Sequence, residues 1–217
     1  MNEFEKAYCD IILESENDSK IANKDGDYVK FTGIIDYNGT KAKVENATFE
    51  LHDGKIYWSN GTWIDGVFAD GSWWMGTWKN GTWKYGEWYR GLWENGTWED
   101  GIWKDGFWKN GTWKNGLWKD GEWEFGTWES GTWWNGLWRN GDWESGEWNN
   151  GNWLNGCWLD GTWYGGNWED GKWYNGEWHS GNFNGGIWND GHWYDNYSSK
   201  WDSNATWISG TGNPYFS

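Results

Sequence analysis

Proline occurs once in 217 residues, cysteine twice and histidine three times, and the apolar residues make up only 36% of the chain. Thirty of these residues are tryptophan, so a core rich in indole is expected. No run of eighteen apolar residues exists to span a bilayer as a helix. The segment Met1-Asn2-Glu3-Phe4-Glu5-Lys6 has no apolar h-region, so a secretory leader is not expected. Cys9 and Cys157 form no metal or redox motif, which suits a reducing cytoplasm. His52, His179 and His192 stand in no ligand pattern and read as solvated surface.

Tryptophan (30) and glycine (35) fill the space left by these absences. From Gly61 to Asp195 the chain is 27 consecutive pentads of the form Gly-x-Trp-x-x. Glycine holds the first place throughout, and Trp the third except at Phe68 and Phe183. The fifth place is Asn, Asp or Ser except at Met75, Tyr85, Arg90, Phe125, Gly165 and Gly185. A fixed period over such a length predicts a repeat architecture in which each unit buries its face against the next. Gly and Trp, two apart, share one face of a strand, and the residue between them faces outward. Asn-Gly and Asp-Gly are turn dipeptides that tolerate positive φ. Each pentad therefore reads as a three-residue strand and a turn.

Two all-β arrangements follow. An antiparallel meander would pair indoles across tight hairpins, as in Trp113-Lys114-Asn115-Gly116-Leu117-Trp118. A three-residue strand between two tight turns has the wrong parity for it, because peptide groups alternate in direction. A β-solenoid with one pentad per side avoids that conflict and makes every Trp equivalent. This pattern resembles the pentapeptide-repeat family, a quadrilateral solenoid with a small residue two places before a large inward Leu or Phe. The resemblance covers residues 61–195 and implies about four pentads, twenty residues, per coil. Tyr85, Phe125, Gly165 and Gly185 share one class of that spacing, and Trp134, Leu154, Tyr174 and Tyr194 another. A MORN-like antiparallel sheet, from a looser similarity in Gly-x-Trp-x-Asn-Gly, is the alternative.

Residues 1–60 read as an N-terminal cap. A helix is expected over 3–14, where Phe4, Ala7, Tyr8, Ile11 and Ile12 form a stripe. Strands are expected over 28–35 and 41–51, with turns at Asn38-Gly39 and Asp53-Gly54. Trp58 stands in the repeat's register with Ile56 in the glycine place. Residues 196–217 read as a C-terminal cap.

The net charge is −16, and 20 acidic against 9 basic side chains fall within 61–195. An acidic body repels a phosphate backbone, so direct nucleic-acid binding and membrane association are not expected. Carboxylates such as Glu147 and Glu177 are not distinguished from their many neighbours, no catalytic pair stands out, and no enzyme activity or cofactor is expected. Lys104, Lys109, Lys114 and Lys119 read as a solvated series of corner positions. The expected role is a structural or interaction scaffold with a protein partner or self-association. Long Gly-x-Trp-x-x tracts resemble uncharacterised tailed-phage proteins, which implies a virion or accessory part, in the virion or the cytoplasm of the producing or host cell. A second reading is an acidic nucleic-acid mimic that binds a basic protein, as some pentapeptide-repeat proteins do. A third is glycan binding through exposed indoles. The residues expected at an interaction surface are Trp74, Tyr85, Phe125, Trp134, Leu154, Tyr174 and Tyr194.

Overall fold

The computed structural model describes residues 11–15, 18–22, 28–37, 40–52, 55–193 and 204–207. Five strands open the chain: β1 (Ile11–Ser15), β2 (Asp18–Ala22), β3 (Tyr28–Tyr37), β4 (Thr40–His52) and β5 (Lys55–Asp65). They pair antiparallel in the order β2–β1–β3–β4–β5. The helix expected over 3–14 is corrected at its end, since Ile11–Glu14 lie in β1 and pair with β3; residues 3–10 are outside the described residues.

β5 belongs to both parts of the molecule. One edge of it pairs antiparallel with β4, and the other starts a parallel stack in which Ile56 registers on Gly71 and Trp58 on Trp73. From there each pentad contributes a short strand that pairs parallel with the strand fifteen residues away, as Trp88 with Trp103 and Trp98 with Trp113. The body is a parallel β-solenoid, which excludes the antiparallel alternative.

Its coil is three pentads, fifteen residues, and not the four expected. The 27 pentads form nine coils, roughly 43 Å long at ~4.8 Å per coil. We call the three sides I, II and III, with pentads starting at Gly106, Gly111 and Gly116 respectively in one coil. The indole accounts for the smaller coil. Successive Trp side chains such as Trp108, Trp113 and Trp118 meet edge to face, 5.9–6.1 Å between centroids and 71–73° between planes. Three such rings close the cross-section. A fourth side would open a void on the axis that nothing in the pentad could fill to native density.

Along the axis each side stacks its own column. Trp98 and Trp113 lie 4.7 Å apart with planes 5° apart, and the spacing recurs throughout. That separation matches the interstrand distance. Since carbon atoms make contact at about 3.5–4.0 Å, the rings must be offset, the preferred form of a parallel aromatic pair. Core indoles from Trp58 to Trp178 are 0 or 1% exposed. The two departures from Trp stand near column ends. Phe68 opens side II under Trp83, and Phe183 follows Trp168 on side I. Thr206 and Trp207 resume side I by registering on Asn182 and Phe183, nine residues further along the chain than one coil requires.

The pentad's other places are explained by backbone bookkeeping. The second residue's N–H donates to the glycine carbonyl one coil earlier, Thr112 to Gly96 at 2.9 Å, and the fourth's to the Trp carbonyl, Lys114 to Trp98 at 2.8 Å. At several pentads the glycine N–H is instead taken by the Asp or Asn side chain before it, as Gly101 by Asp100 Oδ1 at 2.7 Å and Gly156 by Asn155 Oδ1 at 2.8 Å. Asn and Asp therefore cap; positive φ belongs to glycine, and among the described non-glycine residues only Asn46 has it.

Candidate interaction surface

A fifteen-residue coil reassigns every outward residue to a column. The fourth places of side I hold Lys79, Glu94, Lys109, Glu124 and Arg139 in succession, a strict alternation of sign. Those of side II run Lys84, Glu99, Lys114, Glu129, Glu144, and Lys114 lies 3.9 Å from Glu99. Those of side III contain no carboxylate: Trp74, Tyr89, Lys104, Lys119, Trp134, Asn149, Tyr164 and His179. On a molecule of net charge −16 this fourth-place column is the aromatic and cationic one.

Its members touch. Trp74 and Tyr89 stack at 4.2 Å with planes 10° apart, and Lys104 Nζ lies 3.7 Å from the Tyr89 centroid on a cation–π contact. The Tyr89 hydroxyl donates to Glu87 Oε2 at 2.9 Å, and Lys104 Nζ reaches the same oxygen at 3.1 Å. These hydrogen bonds, Lys104's the stronger, hold the Glu87 carboxyl below its usual range. Further along, Tyr164 and His179 stack at 5.0 Å. Trp74 and Trp134 are 49% and 56% exposed. A shallow depression follows the same corner, lined among others by Asp105, Phe107, Asp120, Glu122 and Leu137.

The seven residues expected at one surface do not assemble as one. Trp74 and Trp134 share the side III corner, sixty residues being four whole coils. Tyr85 and Phe125 are exposed at the corners after sides II and I, because forty residues are not a whole number of coils. Leu154 is half-buried in the side I column, and Tyr174 is exposed in the side II column. Tyr194 lies outside the described residues. Tyr89, Tyr164 and His179 were missed, although their fifteen-residue spacing from Trp74 and Trp134 was available to find them.

Cys157 faces outward on side II, half-buried; burial, reinforced by Asp142, holds its thiol above the ordinary value and so away from the nucleophilic thiolate. Among the described residues no group of three His, Cys, Asp or Glu side chains is placed to hold a metal ion. No described helix is long and apolar enough to cross a membrane. No family model matches the chain, and neither a curated protein nor a solved structure matches it.

Proposed function

We propose that the chain is a non-enzymatic structural and interaction scaffold, a stiff rod that presents outward side chains to a protein partner or to another copy of itself. The carrying observation is the side III corner, where Trp74 and Trp134 are 49% and 56% exposed on a body already stabilised by its indole core. Tryptophan and tyrosine are among the types enriched in protein interfaces. The Gly-x-Trp-x-x likeness to pentapeptide-repeat and tailed-phage proteins supports a virion or accessory part, in the virion or the producing or host cell's cytoplasm. The role needs no cofactor, nucleic acid or membrane.

A photoreactive phenylalanine analogue at Trp134, with one at Lys114 as control, tests this in the producing cell. Cross-links from Trp134 to one protein of defined mass, absent from Lys114, are expected. No adduct from either place defeats the reading. The exposure of Trp74 and Trp134 also favours glycan binding as a second reading, for which retention on a polysaccharide column, abolished by Trp74→Ala with Trp134→Ala, is the check. The alternating charges of side I count against the nucleic-acid mimic, which would need rows of one sign.

A further inference from the structure

The indole columns have a chemical consequence besides packing. On side III the rings from Trp73 to Trp178 succeed one another at 4.7–4.8 Å, with planes 5–7° apart. Edge-to-face contacts near 6 Å join this column to the other two in every coil. Indole is, with phenol, among the most readily oxidised side chains, and no interruption separates the rings. The Nε1–H of the core indoles between Trp58 and Trp143 has no hydrogen-bond acceptor, so an oxidised core ring keeps its proton and remains a radical cation. A positive charge is costly in so dry an interior. A hole in the core is therefore driven to any place where it can be neutralised by losing a proton.

Tyr89 is such a place. It follows the core residue Trp88 directly in the chain, and its hydroxyl already donates to the ionised Glu87. Among the described repeat residues it is the tyrosine whose hydroxyl donates to a carboxylate. We propose that the indole core carries one-electron oxidising equivalents along the rod and delivers them to Tyr89, which becomes a neutral tyrosyl radical with Glu87 as proton acceptor. An external one-electron oxidant takes one electron from a core indole and is reduced. Each neighbouring indole fills the hole with one of its own electrons until Trp88 is the cation. Tyr89 then gives Trp88 one electron, its O–H bond breaks, and the proton passes to Glu87 Oε2. The balance is one electron on the oxidant, one proton on Glu87 and one tyrosyl radical. Trp74, stacked on Tyr89, is the contact through which a surface reductant would restore it.

The test places a ruthenium polypyridyl sensitiser on Leu159→Cys, in the 217-residue chain carrying Cys9→Ser and Cys157→Ser. Leu159 is exposed and follows the core residue Trp158, roughly 22 Å along the rod from Tyr89 at ~4.8 Å per coil. After a laser flash with an oxidative quencher, transient absorption and electron paramagnetic resonance should show a tyrosyl radical. It should be lost in Tyr89→Phe and form more slowly in Glu87→Gln. The triple variant Trp113→Phe, Trp118→Phe, Trp123→Phe cuts all three columns between donor and acceptor. It should retain indole oxidation near the sensitiser and lose the Tyr89 radical. A radical that survives the triple variant or Tyr89→Phe overturns the proposal. If the triple variant does not fold, as circular dichroism would show, the single replacements decide. Trp118→Phe, in Trp88's own column, should then reduce the radical most, and no reduction in any of the three overturns the proposal equally.

Discussion

Gly111 rests on Gly96 so closely that a Cβ at Gly111 would be driven into the Gly96 carbonyl oxygen, the same oxygen that accepts the Thr112 N–H. Gly111 also has φ +126°, a region that L side chains rarely adopt. The glycine place is thus held by backbone against backbone, more than by room for the indole. Gly111→Ala should cost about 1–3 kcal/mol or more. Gly165 has no positive φ, and a Cβ there would meet nothing nearer than Ser180 Oγ at 3.4 Å. Gly165→Ala should change stability by less than ~0.5 kcal/mol. Denaturant titration of both variants checks the contrast.

Coil size can be read by deletion. Removing Gly101–Asn115 takes out one whole coil, and every later residue keeps its side. Removing Gly101–Asp120 takes out four pentads and turns the rest of the rod by a third of a revolution, which sets side I columns over side III. We expect the fifteen-residue deletion to melt near the parent and the twenty-residue deletion clearly lower. Equal melting temperatures would contradict the register of Trp98 on Trp113.

Core burial gives an optical prediction. With the core indoles from Trp58 to Trp178 at 0 or 1% exposure, iodide should quench only a small part of the tryptophan emission. The double variant Trp74→Phe, Trp134→Phe should reduce that quenchable part. Trp113→Ala, which deletes a buried ring from the middle of a column, should cost about 3–5 kcal/mol.

Glu87 should make stability depend on pH. Its folded pKa is depressed, so its contribution is present above the unfolded carboxylate value and is lost as pH falls through the lower folded one. Parent and Glu87→Gln should therefore differ at neutral pH and converge in acid, below about pH 4. Melts of the two proteins from pH 7 to pH 3 measure this. A difference that persists unchanged in acid would show that Glu87 acts there through something other than its charge.

The pentad, its inward Gly-Trp face and the solenoid itself were determined by the sequence, because a period of five with three-residue strands has the wrong parity for tight hairpins. Trp58's place in the register could be read there too. The number of sides could not be read from one pentad, since every pentad presents the same Gly-Trp face whether three or four surround the axis. The coil was decided by how three indoles meet, edge to face across the section and offset along it, a relation between residues five and fifteen apart. Traces of it were present in Thr82, Thr97, Thr112 and Thr127, and in the alternation of Lys79, Glu94, Lys109, Glu124 and Arg139. Tyr85 and Phe125, forty residues apart, point instead to a twenty-residue coil. Only the closed triangle gathered Trp74, Tyr89, Trp134 and Tyr164 on one corner, because a column is made by the pitch of the coil and not by neighbours in the chain.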